Sequence, residues 1–290
     1  MRRQLRRIMF VGLASFISPA LCTAGSDDLQ IGMANSFFTG RPKVFVDIVR
    51  ADFADVMKKT TGLAGHLDTT QGPDELGRQL KEGKLHFAIL HGHEFASVRK
   101  KFPVLQPLLL IGNKLEERAY LIIHRNNNAQ SAADLGGKKV ALPVDARGHC
   151  RAFLEKLVAD HGKDRGSSFG SVTNSGSQID ALNELAGGKT DAVIVDSIGL
   201  AFYKEIRGPV FERNLKVLLE SEAFPAPVIV YHPRTLDEKV ITRFREGLLK
   251  VPTTELGRQL MKDWNIDSYD PVPKDYKKKL DETLKAYPTR

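Results

Sequence analysis

The sequence predicts an α/β protein of two lobes, mixed sheets flanked by helices with a cleft at the hinge. Short β-branched runs alternate with amphipathic stretches almost throughout, the pattern of sheets covered by helices. A degenerate internal repeat recurs at an offset of 105 positions, which a single domain does not explain comfortably. The chain has 290 residues, 42% of them hydrophobic, enough to fill two cores of ordinary domain size.

The chain opens on Arg2, Arg3, Arg6 and Arg7, then an apolar run from Ile8 to Leu21 and a small-residue stretch ending Cys22-Thr23-Ala24. That order describes a secretory signal peptide, residues 1–24, cleaved after Ala24. The run is broken by Ser15, Ser18 and Pro19, and a membrane anchor needs roughly 18 or more consecutive apolar residues. Acylation of Cys22 is disfavoured by bulky Leu21 before it. Export to the periplasm is the expectation.

Strand candidates follow at 29–34, 65–69, 86–90, 104–111, 119–124, 138–142, 191–195, 215–219 and 228–231, mostly parallel. Between the first two, Phe45, Ile48, Val49, Phe53, Val56 and Met57 fall at helical spacing, and Gly62 follows as a stop. Similar stripes run through Phe153, Leu154, Leu157 and Val158, and through Val240, Ile241, Phe244 and Leu248. All read as core. The tail from Pro271 reads as a final amphipathic helix on the first lobe, with Lys277-Lys278-Lys279 on its solvated face.

In the repeat, Leu80, Gly83, Lys84 and Ile89 recur as Leu185, Gly188, Lys189 and Ile194. Each copy is a helix ending at Gly-Lys, a buried strand, and a polar residue just past it: His91 in the first, Asp196 in the second. Open α/β sheets place ligands outside the carboxyl ends of their strands, so His91 and Asp196 are expected to face one another. The expected lobes are a discontinuous first, about 25–117 and 226–290, and an inserted second, about 118–225, with the chain crossing near strands 119–124 and 228–231.

Without the leader the formal charge falls from +8 to +4, 39 basic against 35 acidic residues. Those charges are interleaved along the chain rather than clustered, which excludes nucleic acid as the main partner. Only Cys150 remains after cleavage, and one thiol makes no internal disulfide.

Gly83-Lys84 before a strand, the segment Ser131-Ala132-Ala133-Asp134-Leu135-Gly136-Gly137-Lys138-Lys139-Val140-Ala141, and Gly188-Lys189-Thr190-Asp191-Ala192 before Asp196 carry a resemblance. They resemble the phosphate, phosphite and phosphonate-binding proteins of ABC transporters, over nearly the whole chain beyond the leader. The resemblance implies the two-lobed type 2 periplasmic-binding-protein fold, a ligand cleft at the hinge, and delivery of solute to a membrane permease. One departure matters. Where phosphonate binders carry a Ser-Thr-Ser-Gly-like loop for the oxyanion, this chain reads Pro143-Val144-Asp145-Ala146-Arg147-Gly148-His149. Another is His91, where phosphonate binders offer an aromatic or small residue.

The candidate ligand-binding residues are Asn35, Phe37, Phe38, Thr39, Thr69, His91, Tyr120, Asp145, Ala146, Arg147, Gly148, His149 and Asp196. Loop 143–149 leads into a helix whose N-terminal amides favour anions, and Arg147 adds a planar donor fork. The alternative is that Asp145 caps the helix and Arg147 is a solvated charge. Of two adjacent phenylalanines, 37 and 38, at least one is expected to wall the cleft. Thr69 and Thr70 offer hydroxyls or a turn. Asp196 is either a helix cap or the acceptor of a cationic group. Arg147 opposite Asp145 and Asp196 suits a zwitterion or an anion bearing an amine.

His91 and His93 share one face if the strand continues through them. With no third ligand fixed by local spacing, no metal and no cofactor is assigned. Cys150 beside His149 at a helix start suggests a thiol nucleophile, but no orienting third residue is apparent, so no enzyme activity is assigned. The expected partners are a small anionic or zwitterionic molecule and either an ABC permease or a membrane-bound sensor, with the protein itself a monomer.

Overall fold

The computed structural model describes residues 28–113, 115–161 and 169–287. The leader reading therefore lies outside the described residues. The strands are β1 (Asp28–Met33), β2 (Ala64–Asp68), β3 (Phe87–Leu90), β4 (Gln106–Gly112), β5 (Ala119–His124), β6 (Lys139–Pro143), β7 (Ser171–Ser175), β8 (Ala192–Asp196), β9 (Leu215–Glu220), β10 (Val228–Tyr231) and β11 (Ser268–Pro271). The helices are α1 (Lys43–Thr61), α2 (Pro73–Lys81), α3 (Gly92–Lys101), α4 (Gly148–His161), α5 (Gln178–Ala186), α6 (Ser197–Asn214), α7 (Glu238–Leu249), α8 (Glu255–Asp263) and α9 (Tyr276–Ala286).

Two sheets result, in the orders β11-β4-β10-β3-β1-β2 and β7-β6-β8-β5-β9. The chain changes sheet between β4 and β5 and returns between β9 and β10. The sheets are mixed, as the fold class predicts, although the strand pattern alone favours parallel pairing. β1 lies parallel to β2 and β3, and β6 parallel to β7 and β8. The crossing strands supply the antiparallel pairs: β10 inserts between β3 and β4, and β5 between β8 and β9. A strand arriving from the other lobe enters its sheet from the hinge end, which sets its direction.

The two copies of the repeat fold alike. Gly83 at φ 72° and Gly188 at φ 74° end α2 and α5, a left-handed conformation that a side chain resists. In each the next amide closes the helix: Lys84 N–H donates to Gln79 O at 2.9 Å and Lys189 N–H to Glu184 O at 2.9 Å. Leu80, Ile89, Leu185 and Ile194 are all buried. The strands β3 and β8 are buried along their whole length, as continuous apolar runs with helices on both faces should be.

Each sheet is covered on both faces. Phe53, Met57, Phe87, Phe244 and Leu248 pack on one face of the first sheet, and Leu76, Leu80, Phe95, Tyr276 and Leu280 on the other. Leu121, Val140, Cys150, Phe153 and Leu157 cover one face of the second, and Leu182, Leu185, Val193 and Tyr203 the other. Ile48 departs from its expected core place: it is 55% exposed on α1, because burial of Val49, Phe53, Val56 and Met57 turns it outward. The last helix, α9, packs on α3 of the first lobe and leaves Lys277, Lys278 and Lys279 exposed, as the charge run implies. Helix α6 breaks at Arg207 (φ −135°), two residues before Pro209, whose ring and missing N–H disrupt the preceding turn.

Candidate ligand-binding cleft

Strand carboxyl ends of the two sheets converge on the hinge, and a cleft of about 380 Å³ lies between them. From the first lobe it is lined by Ser36, Phe37, Thr39, Gly40 and Arg41; from the second by Asp145, Arg147, Gln178, Ile179, Asp196, Ile198, Gly199 and Phe202. The second wall is therefore built from the starts of α4, α5 and α6, whose amide ends carry partial positive charge. The lobes touch across it. A Cβ placed on Gly40, itself at φ +73°, would lie 2.5 Å from the Asp145 Cβ, so only glycine permits this approach.

Two of those three helix starts are already satisfied by carboxylates. Asp196, the cap of α6, accepts from Gly199 N–H at 2.8 Å and from the Gln178 amide at 3.1 Å. Asp145 accepts from Gln178 N–H at 2.9 Å, so it serves α5 rather than the helix that follows it. Burial pushes the Asp145 carboxyl up, against that hydrogen bond. Arg147 precedes α4 directly; its guanidinium lies 3.5 Å from Glu117 Oε1, and its remaining donors are the ones best placed for a bound anion.

Behind the cleft sits a buried polar group. His91 is 0%, His149 1% and Glu117 5% exposed. His91 caps α3, its ring stacks on Phe37 at 3.7 Å between centroids, and its Nδ1 pairs with Glu117 Oε1 at 3.1 Å. Burial opposes ionisation of Glu117, but the charges and hydrogen bond of His91, with His149 and Arg147, outweigh it and hold the carboxyl well below the usual range. Burial likewise lowers His149 and His93, helped for His93 by its two histidine neighbours. Among the described residues, Glu117 Oε2, His91 Nε2, His93 Nδ1 and both ring nitrogens of His149 are buried with no hydrogen-bond partner. Each such orphan costs about 1–3 kcal/mol.

Of the residues singled out from the sequence, Phe37, Thr39, Asp145, Arg147 and Asp196 line the cleft. His91 and His149 come together one layer behind it, on Glu117. Gly148 starts α4 against His93, whose Nε2 would lie 3.0 Å from an added Cβ. The others lie elsewhere for identifiable reasons. Phe38 packs on the first core; Ala146 packs on the second. Thr69 is buried beside a turn that Thr70 closes by donating to Asp68, and Asn35 reaches only Thr70 O at 3.5 Å. Tyr120 lines a separate cavity of about 300 Å³ with Arg118, Ser197 and Lys204. The strand that was to align His91 with His93 stops at Leu90, and His93 instead lies in the first turn of α3. Arg41, Glu117 and Gln178 escape a sequence reading. Glu117 sits in a charged stretch, Glu116-Glu117-Arg118, and nothing local distinguishes a carboxylate that the hinge buries.

The model of the ABC transporter phosphonate periplasmic substrate-binding protein family matches residues 48–276, most of the chain. The chain belongs to this family. It is accordingly a solute-binding protein of the ABC-transporter class. Among solved structures, XAC2383 from Xanthomonas citri bound to ATP is 16% identical with a TM-score of 0.68, covering 90% of this chain and 97% of that one. PhnD1 from Prochlorococcus marinus in complex with methylphosphonate is 11% identical with a TM-score of 0.65, covering 89% and 97%. A binding protein component of an ABC phosphonate transporter from Pseudomonas aeruginosa is 13% identical with a TM-score of 0.63, covering 88% and 85%. These likenesses establish the two-lobed type 2 fold. No match is found among the curated proteins. No described helix is long and apolar enough to cross a membrane.

Proposed function

We propose that the protein captures a small oxyanionic or zwitterionic solute by closing its lobes in the periplasm, and presents it to an ABC permease with no catalytic step of its own. The observation that carries this is Arg147, placed at the start of α4 in a cleft walled by both lobes, with one contact among the described residues, at 3.5 Å, to satisfy a five-donor guanidinium. The cleft holds two cations, Arg41 and Arg147, and two carboxylates, Asp145 and Asp196. That balance suits a ligand carrying both signs, its anionic end on Arg147 and its cationic end toward Asp145. Phosphonate itself is not carried over, because Pro143 to Arg147 replaces the hydroxyl-rich loop.

Binding without turnover agrees with the state of Cys150. It is wholly buried in the second core, and burial pushes its thiol far up, away from the thiolate a nucleophile needs.

Titration calorimetry with phosphate, phosphite, methylphosphonate, an aminoalkylphosphonate, sulfate and amino acids tests the proposal. One of these classes binds with one-to-one stoichiometry, and Arg147→Ala weakens it by about 2 kcal/mol or more. Affinity unchanged in Arg147→Ala overturns the anion subsite.

A further inference from the structure

We infer that His93, His149 and Glu117 form a binding site for a divalent transition-metal ion of the zinc class, joining the two lobes at the back of the cleft. Each of the three offers one ligand atom, and these atoms lie within 4.8 Å of one another. His93 comes from α3 in the first lobe, His149 from α4 in the second, and Glu117 from the crossing segment between the sheets. Two imidazoles and a carboxylate are the donor set that such ions accept, at bond lengths of roughly 2.0–2.2 Å. Ligand atoms around one ion then stand about 3.3 Å apart, so a small contraction of side chains completes the set.

Three features separate this cluster from an ordinary buried polar group. The donors are unused among the described residues: Glu117 Oε2, His93 Nδ1 and both nitrogens of His149 are buried there with no hydrogen-bond partner. The carboxylate is oriented from behind, since His91 and Arg147 both approach Oε1 and leave Oε2 free, the arrangement by which outer residues aim a metal ligand. A cavity of about 10 Å³ lies against Glu117, His149, Arg147 and Asp196, room for about one water-sized ligand. An ion held by three protein groups keeps such a position open. Because Arg147 lines both that cavity and the main cleft, an ion there sits directly behind the solute.

The site does not depend on the identity of that solute, and its test is separate. Full-length mature protein is stripped with a chelator, then titrated with Zn²⁺ against a chromophoric competitor. One equivalent binds. His93→Gln and His149→Gln each weaken it roughly a hundredfold or more, beyond the loss caused by disturbing an outer residue. His66→Ala, on an exposed histidine, leaves it unchanged. Arg147→Ala disables the anion subsite but leaves a one-to-one Zn²⁺ site, weakened by no more than the roughly 10–100-fold of an outer residue, and anion binding is measured separately on the metal-free protein, so the two proposals fail independently. Should a histidine variant not fold, Co²⁺ added to the unaltered protein decides: intense visible bands of a low-coordinate site with nitrogen ligands are expected. Sub-stoichiometric binding, binding that survives loss of both histidines, or the weak bands of a hexa-aquo-like ion overturns the inference.

Discussion

The two copies of the helix, glycine, strand and cap unit reach the hinge with the same backbone and opposite chemistry. In the first copy the cap is His91, which stacks on Phe37 and pairs with the hinge carboxylate Glu117. In the second it is Asp196, which spends its oxygens on Gly199 N–H and the Gln178 amide. Both side chains therefore act on their own surroundings before any solute arrives. The comparison teaches that a polar residue past a strand end is a structural cap first, and that the spare donors in the cleft belong to a neighbour, here Arg147.

The largest effect expected is at His91. His91→Ala leaves Glu117 buried without its nearest partner, and breaking a buried pair costs about 3–5 kcal/mol; urea denaturation measures it. Gly40→Ala comes next and acts on closure. Its Cβ meets Asp145 across the cleft, an overpacking of about 1–3 kcal/mol that falls on the closed form, so solute affinity by calorimetry drops more than the melting temperature of the free protein. Asp196→Ala removes the α6 cap and is expected to cost about 1–2 kcal/mol. Equal losses at His91 and Asp196 would erase the contrast between the copies. Gly83→Ala and Gly188→Ala are the smallest, about 1 kcal/mol each from the left-handed backbone alone. Gly83 meets the Thr235 methyl at 3.4 Å while Gly188 faces open space, so the first loses no less than the second.

Much of this fold is legible in the sequence, because the strands that matter are buried on both faces and read as continuous apolar runs. The strands that are not legible are edges. β7, Ser171–Ser175, is almost wholly exposed and pairs only with β6, so backbone hydrogen bonds hold it with no apolar signal. β11 buries only Tyr269 of its four residues. For the cleft, Phe37 is legible because it lies in the short connection between β1 and α1, and Arg147 and Asp196 because each directly precedes a helix. Glu117 and its assembly with His93 and His149 are not: these residues lie far apart in sequence, and only the crossing of the chain between sheets brings them together.

The central claim is that the lobes hinge about the crossing segments and close over a guest. Electron-resonance distances between spin labels at Asp47 on α1 and Glu205 on α6, both exposed, measure this directly. The free protein is expected to give a broad distribution extending beyond the closed separation, collapsing to one short distance with the solute that calorimetry identifies. A single narrow distance, the same in the free protein and with every compound of the calorimetric panel, would contradict it.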